Sequence, residues 1–512
     1  MKFVVHPPVR GPKTAARATP QPHLEATLAL LAGLLITGWL VHGDTPSGFV
    51  RFAAIGTGLS LLLSMAIEFR HAWINLLRAD LVALVALYFL LFFEFLFPQP
   101  RLNELISDQQ EIERGVYICL WAFGAMAVGR HLIAGLSLRH WRIVGLSAPP
   151  STMLWLFWGC FVVGYFHMLL AVDFNPVAMV GYFLEPRFSL PWGREQLGDW
   201  KAMLYETGSV LYLVPSLAGV ILGRKRHFTN QQVALVGLGL LFTLFYGFTT
   251  GTRNIIGSFL ITFLVSFFYA SGARLTKTVI VSCLLAAGLM MLSVIHGIEF
   301  RTVGFKNYLG GARPSSAELE KTLFVDYNLY VVSRLATVFP RDRDYLGMTV
   351  PAWMLARPVP RVLWPGKPDG TQISIERALG EEGLTLSSTF VGEAYMAAGL
   401  FGVIIAALGF GCLAQWWTRK AYTVDSDFGI LIYASGFFSV VISMRSMYML
   451  PVAMLPTLVV CIVGVWFLKR EAPSAKRQAP SGRRQAPSAR RQAPDAGREA
   501  QGAEREAPGA RR

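Results

Sequence analysis

Apolar runs of about 18–22 residues recur from Leu28 to Leu468, separated by short polar breaks. Runs of that length match a hydrocarbon slab about 30 Å thick crossed by a helix. A soluble core would show amphipathic stripes instead. The pattern predicts an all-α polytopic membrane protein of about twelve transmembrane helices, over 26–42, 49–67, 79–97, 115–136, 153–172, 203–223, 231–249, 255–272, 277–297, 391–413, 427–444 and 451–468. The start could pass for a signal peptide, with a basic lead and an apolar stretch from Thr27 to Val41. No small-x-small cleavage site follows in His42–Gly48, so it reads as an uncleaved first helix.

An even number of spans puts both termini on one side. With the N-terminus in the cytoplasm, the inside loops carry Arg70 and Arg78; Arg130, Arg139 and Arg142; Arg224, Lys225 and Arg226; Arg274 and Lys277; Arg419 and Lys420. Every predicted inside loop is basic, as the positive-inside bias requires. Five regions follow: a basic cytoplasmic tail (1–25), nine helices (26–297), a large outer loop (298–390), three helices (391–468) and a basic cytoplasmic tail (469–512). The large loop holds Pro340, Pro351, Pro358, Pro360, Pro365 and Pro368, so its second half cannot be one helix. Short, partly re-entrant or amphipathic helices are expected there. The last tail repeats every seven residues from Lys476, with proline in most copies and no apolar seam. It reads as disorder rather than a coiled coil.

Composition sharpens this picture. Hydrophobic residues make up 53% of the chain and charged ones 15%, against roughly 25% charged in soluble domains. The net charge of +15 does not point to nucleic acid, because the two tails hold +11 of it. Cys119, Cys160, Cys283, Cys412 and Cys461 all fall in apolar runs, without metal-ligand spacing. Neither a cofactor nor a metal is expected. The chain lacks a Walker-type loop for ATP.

The chemistry lies in arginines on the disfavoured side. Arg187 and Arg194 fall in the outer segment 173–202, Arg253 in the turn Thr250–Asn254, Arg301 after the ninth span, and Arg445 in the short turn before Tyr448. Charge at such depth costs a few kcal/mol. An anionic ligand would offset that cost, since guanidinium groups grip phosphate oxygens in pairs and keep their charge. Snorkelling or salt bridging is the plainer reading of any one of them. It is weaker for Arg253 and Arg445, which have no acidic residue within five positions. Glu393, entering the tenth span in Ser387–Tyr395, is a candidate general base or a partner for an arginine. His296, Glu299, Asp326, Tyr327 and Arg334 are weaker candidates.

Two segments resemble a known family. Leu355-Ala-Arg-Pro-Val-Pro-Arg-Val-Leu-Trp-Pro-Gly-Lys-Pro368 and Ser388-Thr-Phe-Val-Gly-Glu-Ala-Tyr-Met-Ala-Ala-Gly-Leu-Phe-Gly402 look like the Wzy-type O-antigen and exopolysaccharide polymerases. These show a "P-x-x-x-x-P-x-K-P" stretch in a large periplasmic loop and a "G-E-x-Y…G-x-x-G" entry into the next helix. Gly251-Thr-Arg253 is similar to the family's "G-x-R". The resemblance covers roughly residues 170–450. It implies a metal-independent, C-type membrane glycosyltransferase in the bacterial inner membrane. Such an enzyme polymerises oligosaccharide repeat units carried on undecaprenyl pyrophosphate, and a chain-length regulator is a possible partner. On this reading Arg253, Arg445 and Arg187 hold the pyrophosphate. Glu393 deprotonates the attacking hydroxyl or orients an arginine. Arg194, Arg301, Lys367 and Tyr395 contact substrate. The alternatives are an O-antigen ligase-like transferase and a lipid-linked oligosaccharide flippase. Residues 298–390 lack the histidine expected of a ligase, and the chain lacks the internal repeats expected of a flippase.

Overall fold

The computed structural model describes residues 21–106, 108–133, 136, 141–192, 204, 207–272, 276–312, 327–359, 363–368, 375, 379, 386–421 and 426–477. Among these residues the chain is helical, with no strand. The main helices are α1 (Leu24–Leu40), α2 (Pro46–His71), α3 (Ala79–Leu91), α4 (Gln109–Leu132), α5 (Pro150–Ala171), α6 (Leu213–Gly223) and α7 (Asn230–Thr249). They continue as α8 (Arg253–Ala270), α9 (Lys277–Val303), α10 (Asn328–Val338), α11 (Thr349–Ala356), α12 (Thr389–Ala421) and α13 (Asp427–Arg445). A last apolar span follows over Met447–Leu468.

Nine described helices are long and apolar enough to cross a membrane. The protein is therefore a helical, polytopic membrane protein. Three shorter apolar helices, Leu24–Leu40, Ala79–Leu91 and Gly208–Gly223, fall at the other predicted span positions. Sequence marks the helix starts. Thr229 and Gln232 form a reciprocal capping box at α7, and Thr45, Thr276 and Ser426 each accept an amide hydrogen bond at α2, α9 and α13.

Burial sorts the helices. In α13, 89% of the apolar window is buried, against 22% in Lys277–Gly297 of α9, so α13 is central and α9 peripheral. Large apolar side chains left exposed, among them Leu35, Trp39, Trp155, Leu284 and Phe401, suit a lipid solvent. Close helix pairs meet at small residues. A Cβ on Gly411 of α12 would lie 2.3 Å from the Met126 carbonyl oxygen of α4. One on Gly219 of α6 would lie 2.7 Å from the Phe263 carbonyl oxygen of α8.

One end of the bundle is tied by a buried ion network. Arg78 pairs with Glu68 at 2.9 Å and Asp80 at 2.6 Å, and Arg130 pairs with the same Asp80 at 3.3 Å. Arg130 also donates to Thr27 Oγ1 at 2.6 Å, bringing α1, α3 and α4 together. Glu68 further pairs with His23 at 2.7 Å. Arg78 and Arg130 are thus fully buried partners of carboxylates rather than free loop charges. Arg224 pairs with Asp427 at 2.5 Å.

Segment 298–390 is only partly a loop. Its first residues extend α9 to Val303, and α10 packs its buried face (Leu329, Val332 and Leu335 among others) on α4 and α12. α12 begins at Thr389 and is broken at Ala398–Gly399. The break frees the Met396 and Ala397 carbonyls, which accept amide bonds from Leu346 and Gly347, both at 2.9 Å. Residues 345–347 are thereby stitched onto α12.

Candidate functional site

The opposite end of the bundle gathers most of the singled-out arginines. The turn between α7 and α8 is tight: Gly251 has φ +62°, a conformation open to glycine, and lies against α9. A Cβ there would stand 2.3 Å from the Gly297 carbonyl oxygen and 2.8 Å from the Arg301 amide nitrogen. The Arg253 side chain follows the same surface, its Nε 3.8 Å from where a Cβ on Gly297 would project. Arg187 reaches the turn from the other side, Nη1 donating to Thr252 Oγ1 at 2.9 Å. Its segment is fixed to the end of α9 by the Lys306 amide, which donates to the Leu184 carbonyl at 3.0 Å. Arg187, Arg253 and Arg301 therefore surround one turn. All three are half-buried.

Arg445 belongs to the same end. α8 and α13 pack in opposite directions. Tyr212 stacks on Phe438 at 3.9 Å and meets Phe259 at 5.1 Å, which levels Phe259 with Phe438. Tyr269 meets Tyr433 at 5.8 Å farther along. Arg253 precedes Phe259 by six residues and Arg445 follows Phe438 by seven, so both lie about 10 Å beyond that level on the same side.

Glu393 explains how the Arg445 turn is held. The carboxylate is buried, and both oxygens are engaged. Ser446 Oγ donates to Oε1 at 2.5 Å and the Met447 amide donates to Oε2 at 2.6 Å. The Arg357 guanidinium acts on the same carboxylate through its charge. Arg357 was not singled out from sequence, although the same logic of arginines in an outer segment applies to it. Lys367 is buried and donates to the Arg357 and Val359 carbonyls, both at 2.8 Å, with its ammonium 5.2 Å from the Trp353 ring centroid. It ties down the segment that carries Arg357. Tyr395 is half-buried against Tyr345, ring centroids 6.3 Å apart.

The weaker candidates take ordinary partners. His296 Nδ1 lies 3.0 Å from Glu299 Oε2 and 3.2 Å from the Tyr308 hydroxyl. Arg334 pairs with Glu111 at 3.4 Å, and Tyr327 donates to Gln99 at 2.7 Å. Arg194 and Asp326 lie outside the described residues.

A bundle of membrane-length helices defines a helical membrane protein, and several guanidinium groups are gathered at one end of it. The chain belongs to the family described as domain of unknown function DUF8712, whose model matches residues 207–472, just over half of its length. The matched region holds Arg253, Arg301, Arg357, Glu393 and Arg445, and excludes Arg187. No curated protein and no solved structure matches the chain.

Proposed function

We propose that this protein is a membrane glycosyltransferase that joins undecaprenyl-pyrophosphate-linked oligosaccharide repeat units at the periplasmic face of the bacterial inner membrane. The observation that carries the reading is the placement of Arg187, Arg253, Arg301 and Arg445 at one end of the bundle. Twelve spans with both termini cytoplasmic, counting the three shorter apolar helices, would make that end periplasmic. Cleavage of the sugar–phosphate bond leaves charge on the departing pyrophosphate. Fixed guanidinium groups stabilise that charge without reorganising. Arg253 and Arg445 are assigned to this role, with Arg187 and Arg301 completing the cradle. The acceptor hydroxyl of a second repeat unit attacks the anomeric carbon as the sugar–phosphate bond breaks, forms the new glycosidic bond and gives up its proton to surrounding water.

Glu393 is best read as the residue that positions the Arg445 turn, since both its oxygens already accept hydrogen bonds. Lys367 plays the equivalent part for Arg357. The resemblance of Pro360–Pro368 and Gly392–Gly402 to polymerase segments supports joining over transport.

Arg253→Ala and Arg445→Ala are each expected to abolish long-chain polysaccharide while single-unit products and protein level persist. Gel analysis of surface glycan with immunoblotting of the protein provides the test. Long chains persisting in both variants would remove the pyrophosphate role.

A further inference from the structure

The exposed surface changes character abruptly at Tyr345. Arg341, Asp342, Arg343 and Asp344 are exposed, as suits a segment in water. Beyond Tyr345 the exposed side chains become apolar. Met348 is 78% exposed and Leu355 66%, and with the exposed Ala352 they stand at i, i+4 and i+7, along one face of α11. Leu363 and Trp364 are exposed as well, on a segment that Lys367 ties back to the end of α11 through the Arg357 and Val359 carbonyls. The opposite face of α11 is committed to the protein. Val350 is buried in the core, Met354 packs against it, and the helix lies on α12 and on the turn Met447–Met449.

Two observations put this outward face at the edge of the hydrocarbon. Leu346 and Gly347 donate to the Met396 and Ala397 carbonyls at the break in α12, and a Cβ on Gly399 would lie 2.5 Å from the Tyr345 hydroxyl oxygen. Counted back along α12 from Arg419, a slab about 30 Å thick takes about 20 helical residues and so ends at Gly399. Just past that point Leu400, Phe401 and Ile405 are exposed apolar side chains of a membrane-length helix. Met348 therefore continues a surface already turned to lipid. α11 runs from the break in α12 to the turn between α13 and the last span, which is along the boundary rather than across it.

We propose that the outward face of α11, with Leu363 and Trp364, is a membrane-docking surface seated among the headgroups and upper acyl chains of the leaflet on the side of the Arg445 turn. Continuity with the lipid-facing side of α12 selects a lipid surface over a second protein. Tyr345, Trp353 and Trp364 supply amphipathic rings of the kind that settle at headgroup level. The proposal stands on the membrane placement of the helices and not on the chemistry proposed above. α11 leads directly into Arg357, whose charge acts on Glu393, so lipid contact steadies the segment that carries that guanidinium.

The test uses the full chain in phosphatidylcholine nanodiscs, with a small fluorescent amino acid at Met348, Leu355 or Leu363, one site at a time. Asp344 is the water-facing control and Phe401 the lipid-facing one. Phosphatidylcholine bearing a nitroxide just below its headgroup is expected to remove most of the emission at the three sites, as at Phe401, while iodide leaves it nearly unchanged. At Asp344 the order reverses. Iodide quenching at the three sites equal to that at Asp344 would overturn the proposal and place the face in water. Protection from both quenchers would overturn it by showing protein over the face, a second copy included. Radical footprinting of the unsubstituted chain in the same nanodiscs needs no variant to fold. Met348 is expected to oxidise several-fold more slowly than in the denatured chain, and equal rates would contradict a lipid seat.

Discussion

Glu393 illustrates how a residue legible in sequence changes meaning once its neighbours are known. A carboxylate entering an apolar helix attracts a catalytic reading, because its burial needs a reason. Here the reason is local: two donors from the turn after α13 fill both oxygens. Glu393→Ala removes both acceptors and leaves the Met447 amide without its partner, at about 1–3 kcal/mol for the unsatisfied contact. A positioning role predicts that donor affinity and turnover fall together, and that Ser446→Ala reproduces part of both losses. Binding and single-turnover measurements on the purified chain separate the cases. Lost turnover with unchanged donor affinity would instead identify Glu393 as the base. Arg357 was missed because its relevance comes from a carboxylate 36 positions later in the chain, which no local pattern reports.

At the scale of elements, the α7–α8 turn and the break in α12 decide where chemistry-bearing residues stand. Gly251 was noted as part of a short motif, but its physical role is contact with α9. Gly251→Ala would set a methyl against a carbonyl oxygen of a packed helix, at a backbone angle that favours glycine. The expected cost is about 1–3 kcal/mol, with the turn pushed away from Arg301. Thermal unfolding in detergent reads the first effect. Donor affinity reads the second and should fall as in Arg253→Ala. A variant of wild-type stability and affinity would show that the close approach is not needed. Helix existence was readable from apolar run length alone, which is why the predicted positions and the observed helices agree so widely. Helix ends were not. α12 extends from Thr389 to Ala421 rather than 391–413, and α9 passes residue 297 to reach Val303, because polar residues in a terminal turn are carried by packing rather than by their own hydropathy.

Over the whole molecule, charge works differently at the two ends. At one end Asp80 receives both Arg78 and Arg130 in the bundle interior. Removing one partner of a buried ion pair costs about 3–5 kcal/mol, because the other charge stays buried. Asp80→Asn should therefore lower thermal stability strongly, while the exposed pair Arg341–Asp342 can be broken at little cost. Comparable melting of the two variants in the same detergent would contradict the buried network. At the other end, Arg187 and Arg253, 66 positions apart, meet at one turn through Thr252. Sequence by itself determined that this chain is a helical membrane protein and roughly where its helices lie, because hydrocarbon penalises polar groups in proportion to their depth. Only tertiary structure decided which charges meet. Ion pairing and the hold on the Arg445 turn depend on packing between helices far apart in the chain, and hydropathy along one strand of sequence carries no record of its neighbours.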